Sequence, residues 1–183
     1  MTFLHNYINK MRGGKRCPAR APWHEIFWSA VGSFLGILTV YALGHLHELR
    51  LEDSLFLVGS FGASAVLIYG IPNSPYAQPR SLLGGHIISA IIGVSCVTII
   101  SSYPAIAAAL AVSLSLVAMH MTRTVHPPGG ATALIAVVGG ESIHSMGYWF
   151  VLTPIALGAG LMLVIAVLVN NLSPHRRYPQ YWW

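Results

Sequence analysis

The chain has 183 residues, 55% of them hydrophobic and only 8% charged, with a net charge of +5. Soluble domains carry roughly 25% charge, and the mean hydropathy is +0.63, so the composition describes a polytopic membrane protein and excludes a soluble catalytic domain. The positive charge sits in tails and loops, where it sets topology rather than binding nucleic acid. The two cysteines, Cys17 and Cys96, imply neither a disulfide framework nor a thiolate metal site.

In chain order, residues 1–22 are a basic tail carrying Lys10, Arg12, Lys15, Arg16 and Arg20. No apolar core of a cleavable signal peptide is expected there. A membrane helix needs roughly 20 apolar residues, and the first such segment is 25–45, with Gly32 and Gly36 as packing residues. His45, His47 and Glu48 follow as an outward cluster, a second-choice metal site. Segment 54–71 is uncharged but broken by Gly59, Gly62 and Gly70. A Pro-rich connection leads to Arg80, and segment 82–101 then sets Gly85, Ser89 and Gly93 four residues apart, a smooth face for close helix packing with His86 beside it.

Segment 103–121 is followed by a polar break holding Arg123, His126, Pro127, Pro128, Gly129 and Gly130. Segment 127–140 is too short for a full span, whereas 148–170, with Gly158 and Gly160, is long enough. The tail 173–183 carries Arg176, Arg177, Tyr178, Tyr181, Trp182 and Trp183, which read as interfacial anchors.

A hydropathy count gives four or five spans, but charge placement favours six passages. With the N-terminus cytoplasmic, six passages put nine of the ten Lys and Arg residues inside, Arg50 excepted. Residues 62–67 (Gly-Ala-Ser-Ala-Val-Leu) match 130–135 (Gly-Ala-Thr-Ala-Leu-Ile), each between two long helices. We therefore expect an all-α membrane domain at 23–172, with a first repeat at 23–101 and an inverted second repeat at 103–172, each with a Gly-interrupted short helix. Both tails, 1–22 and 173–183, are expected to be cytoplasmic, in a bacterial inner membrane.

Inverted repeats with Gly/Pro-broken segments point to a midplane transport site. A half-helix over 131–140 would aim free N–H groups and its positive end into the membrane, a setting suited to an anion. Gly129, Gly130, Ala131 and Thr132 would form that end, and Gly62, Ala63 and Ser64 would form its counterpart from the other side. None of the five acids lies inside an apolar segment, which disfavours a cation. Arg80, Arg123, His86 and His126 are candidates to tune access. Each also has a plain reading, the arginines as topology signals and His86 as a packed, backbone-bonded residue. No nucleophile elbow, HExxH, P-loop or GxGxxG pattern occurs, so no catalytic residue, cofactor or enzymatic role is expected.

The His126-Pro-Pro-Gly-Gly-Ala-Thr-Ala133 segment resembles the signature of the HPP family of integral membrane proteins. The stretch from Ser74 through Pro79 and Arg80 to Gly84, Gly85 and His86 is similar to that family's second motif. The resemblance runs from about Trp23 to Leu172. It implies four membrane helices and a transport role, with nitrite transport in some chloroplast and cyanobacterial members. Together these readings predict transport of a small inorganic anion, nitrite first, by a homo-oligomer in the lipid bilayer. A His-based metal carrier and a non-transporting assembly subunit are the alternatives.

Overall fold

A computed structural model describes residues 2–11, 17–46 and 51–183, and the side chains among them apart from 2–3, 44–46 and 51–57. The expected His45, His47 and Glu48 cluster lies outside the described side chains, and no group of three His, Cys, Asp or Glu gathers among the described residues. The elements are α1 (Thr2–Met11), α2 (Trp23–Leu46), α3 (Leu51–Ala65), α4 (Pro79–Ile99), α5 (Pro104–Thr122), α6 (Pro127–Val138), α7 (Glu141–His144) and α8 (Leu157–Leu172). Helix α3 runs on into a π turn, Val66–Gly70, and a second π segment, Val151–Ala156, leads into α8.

Four stretches are long and apolar enough to cross a membrane: Trp23–Leu43, Pro79–Ile99, Pro104–Thr122 and Val151–Leu172. They coincide with the four long segments read from the sequence. Two shorter apolar helices, Val58–Gly70 and Pro127–Val138, accompany them. Proline opens α4, α5 and α6, because its fixed φ and missing N–H suit the first helical turn. The last span is kinked at Thr153, whose backbone is extended (φ −142°, ψ 122°) just before Pro154, a residue without an N–H to continue the ladder.

One expectation is corrected here. The first short segment is not broken at its glycines: helix is continuous from Leu51 through Gly59 and Gly62 to Ala65. A single glycine weakens a helix by only about 1 kcal/mol, which packing readily overrides.

Small residues let the helices close on one another. A Cβ on Gly93 would lie 2.6 Å from the Ala133 carbonyl oxygen, and one on Gly85 would lie 2.4 Å from the His126 Cβ. The smooth Gly85-Ser89-Gly93 face is therefore the seat of α6. Gly32 and Gly36 make room for the Tyr69 ring, and Gly158 for Phe61. Helix α2 packs on α8 and α5 packs on α4, while α3 crosses α6.

The C-terminal tail closes one end of the bundle. Buried Arg176 donates to the Glu25 carboxylate (2.8 Å), the Tyr69 carbonyl (3.0 Å) and Asn170 Oδ1 (2.9 Å). Gln78 brackets the 72–78 loop, with Nε2 donating to the Pro72 and Ser74 carbonyls while Oε1 accepts from the Gln180 N–H. The Tyr178 hydroxyl donates to the Ala77 carbonyl (2.7 Å), and burial raises its pKa above the ordinary value, keeping it a donor. Arg80 Nη2 donates to the Thr122 carbonyl (2.8 Å) at the same end. These contacts bring Arg80, Arg176 and the 120–126 turn to one end of the bundle.

Candidate functional site

Where α3 crosses α6, five polar side chains meet in an otherwise apolar interior. Ser60 and Ser64 come from α3, His86 from α4, His126 from the residue before α6, and Thr132 from α6. All five are at most 1% exposed. Burying hydroxyls and imidazoles is costly unless each finds a partner, and each does. Ser64 Oγ lies 2.7 Å from His86 Nε2 and 2.9 Å from His126 Nε2. His86 Nδ1 lies 2.7 Å from Thr132 Oγ1, and Thr132 Oγ1 lies 2.8 Å from Ser60 Oγ. His126 Nδ1 is 2.8 Å from the Tyr76 carbonyl oxygen. The two imidazole centroids are 4.9 Å apart, and Phe61 closes over His86 at 5.0 Å.

Local sequence explains the placement. Ser60 and Ser64 are one helical turn apart and so share a face of α3. His126 is extended (φ −138°, ψ 102°), as Pro127 requires of the residue before it. That backbone leaves its ring between Ser64 and the Tyr76 carbonyl. Residues Ser64 and Thr132 occupy matching positions in the two Gly-Ala-Ser/Thr stretches. His86 therefore bridges the two hydroxyls at matching positions of these stretches.

The expected donors are different from those observed. Helix α6 starts at Pro127, not at residue 131. Its first two helical residues are prolines, which have no N–H to offer, and the Gly129 N–H donates to the His126 carbonyl at 2.8 Å. Gly130 and Ala131 lie within the helix, where N–H groups bond back along the chain. Gly62 and Ala63 sit inside continuous α3, so no helix N-terminus exists there. What converges is side-chain chemistry: hydroxyls and imidazoles, with no carboxylate.

The two arginines lie outside this cluster. Arg80 caps the end of α5 through Thr122. Arg123 ends α5 in the left-handed conformation (φ 57°, ψ 39°), which costs a non-glycine residue about 1–2 kcal/mol. Its side chain lines a cavity of about 260 Å³ with Tyr76, Ser81, His120, Val125 and Tyr181. Tyr76 and Val125 place that cavity beside His126, at the closed end of the bundle. Ser60 and the Tyr76 carbonyl are members of the site that the motif reading missed. The four-residue spacing of Ser60 to Ser64 was the available signal for Ser60; no sequence signal marks a backbone carbonyl.

The fold and this buried crossing define an integral membrane helical bundle with a polar centre. The chain belongs to the HPP family: the profile of the HPP transmembrane region matches residues 18–179. It is 48% identical over 99% of its length to one Dictyostelium discoideum protein and 46% identical over 99% to a second, both named only as transmembrane proteins. It spans 58% and 65% of those two relatives. No solved structure matches it. The relatives give no support to a bacterial inner membrane.

Proposed function

We propose that this chain transports a small inorganic anion, with nitrite the first candidate, through the α3–α6 crossing. The observation that carries the reading is His86 held between Ser64 and Thr132 in the apolar interior. Ionisable residues inside a membrane bundle mark transport paths by default. Ser60, Ser64, Thr132 and the two imidazoles supply neutral donors that can replace water around an anion, and the absence of a carboxylate among them disfavours a cation. Arg123 and His120, at the adjoining cavity, gather anions at the mouth. The left-handed backbone retained at Arg123 supports a functional role for that side chain.

The six helices α2, α3, α4, α5, α6 and α8 are read as six passages in two inverted units. Exchange packing favours this: the first helix of each unit lies on the third helix of the other, α2 on α8 and α5 on α4. Ser60 Oγ touches the Pro128 carbonyl (3.2 Å), and these two positions are equivalent in the repeat, as expected where a pseudo-two-fold axis passes. Both tails are placed in the cytoplasm. A homo-oligomer would use α3, where Gly59 and Ala63 remain exposed, because the Gly32–Gly36 and Gly85–Gly93 faces are occupied within the chain.

The test is flux into liposomes containing the purified protein. Nitrite influx above that of empty liposomes supports the reading. Nitrite, nitrate, formate and chloride fluxes all equal to those of empty liposomes would refute it.

A further inference from the structure

Helix α1 has a polarity unlike that of the spans, apolar on one side only. Leu4, Ile8 and Met11 follow one another by four and three residues, with Tyr7 beside them, so the four share an arc of about 100° at 3.6 residues per turn. His5, Asn6, Asn9 and Lys10 occupy the opposite side. Such a stripe is ordinarily the face that a neighbour covers. Here Leu4 is 63% exposed, Ile8 47% and Met11 64%, and among the described residues no other helix packs along α1.

Length and charge decide what covers the stripe. The 10 residues of α1 rise about 15 Å, half of the roughly 30 Å of a bilayer core. With one face polar, such a helix lies on a membrane rather than crossing it. An isolated helix this short is marginal in water, so the surface that covers the stripe also holds the helix. Lys10 stands in the last turn of α1, Arg12, Lys15, Arg16 and Arg20 follow in sequence, and no Asp or Glu precedes Glu25. Basic clusters of about this size beside an amphipathic helix are the chemistry that recognises anionic lipid headgroups.

The chain itself delivers α1 to such a surface. Trp23, 73% exposed, opens the first span, and the Arg20 guanidinium lies over its ring at 4.2 Å. An exposed tryptophan at a span end sits at headgroup level. The 11 residues from Arg12 to Pro22 reach at most about 40 Å when extended, so α1 stays close to the interface. We infer that α1 is an interfacial anchor for anionic lipid. Leu4, Tyr7, Ile8 and Met11 enter the boundary between headgroups and acyl chains, while Lys10 and the basic residues after it pair with lipid anions. The basic segment then does more than set topology. A second copy of α1 would bring the same five cations, so repulsion opposes self-pairing. A protein groove is the other surface that takes an amphipathic helix, but a tether beside the bilayer favours lipid. This inference does not depend on the anion-transport reading.

The experiment uses the full chain with Cys17→Ser and Cys96→Ser, reconstituted into vesicles of phosphatidylcholine and phosphatidylglycerol in equal parts. A nitroxide is attached at Ile8→Cys in one sample and at Asn9→Cys in another. Collision with lipid-soluble oxygen and with a water-soluble nickel chelate reads the depth of each label. The Ile8→Cys label should favour oxygen and the Asn9→Cys label nickel. In vesicles of phosphatidylcholine alone, the oxygen-to-nickel ratio of the Ile8→Cys label should fall at least about threefold, because the basic residues lose their attraction to the surface. Joint Lys10→Glu, Arg12→Glu, Lys15→Glu and Arg16→Glu should give the same fall in the anionic vesicles. Equal nickel exposure of both labels in anionic vesicles overturns the anchor. An Ile8→Cys label shielded from both reagents shows that protein covers the stripe and overturns it equally. A ratio unchanged in phosphatidylcholine alone overturns the requirement for anionic lipid.

Discussion

The two short helices contain nearly the same six residues and use them differently. The Gly62-to-Leu67 stretch runs from the end of α3, a helix that began at Leu51, into the π turn, while the Gly130-to-Ile135 stretch begins at the fourth residue of α6, which starts at Pro127. The difference traces to the residues before each stretch. Position 60 is a serine that continues the helix; its counterpart 128 is a proline that can only begin one. Yet Ser64 and Thr132 reach the same imidazole. What the two matching stretches share is where a hydroxyl points, not where a backbone N–H is free.

Substitutions can break this equivalence. Ser64→Ala should have the largest effect, because it strips the partner from both Nε2 atoms. Each buried group left unpaired costs about 1–3 kcal/mol, and thermal unfolding in detergent would show the loss. Thr132→Val keeps the shape of α6 and leaves only His86 Nδ1 short of a partner, since Ser60 Oγ keeps the Pro128 carbonyl. It should cost about 1–3 kcal/mol, less than Ser64→Ala, while anion flux falls at least about tenfold.

Glycine exchanges sharpen the contrast between the two helices. A Cβ at Gly129 would meet the Gly85 carbonyl oxygen and Ser89 Oγ, both at 2.8 Å, so Gly129→Ala should destabilise by about 1–3 kcal/mol. A Cβ at Gly62 meets nothing within 4 Å, so Gly62→Ala should stabilise by about 0.5–1 kcal/mol with flux unchanged. Lost flux in Gly62→Ala would restore a role for the backbone there. Arg123→Gly should relieve the left-handed conformation and raise stability by up to about 1 kcal/mol. Flux measured at low anion concentration should nevertheless fall as the mouth loses its cation.

The membrane class, the four long helices and the Gly85-Ser89-Gly93 packing face were legible in the sequence. Period, length and small-residue spacing are local properties that lipid leaves few ways to satisfy. Ser64, His86, His126 and Thr132 were legible as candidates because polar residues stand out in an apolar chain. Their mutual bonds were not, since they join residues as far apart as Ser64 and His126. The helix starts misled for a physical reason: glycine permits a break without requiring one, and two prolines remove the N–H groups that a helix N-terminus would otherwise present. Arg176 reads as a surface anchor but is buried on Glu25, Tyr69 and Asn170. A terminal arginine gives no hint of a partner 151 residues away.

The central claim is that Ser64 and Thr132 act through His86 as one site. Initial nitrite flux through wild type, Ser64→Ala, Thr132→Val and the double variant, each confirmed as folded, tests it directly. The prediction is that the double variant is no slower than the slower single variant, within about a factor of two, the coupling expected of residues sharing one partner. Effects that multiply independently, or single variants with wild-type flux, would contradict it.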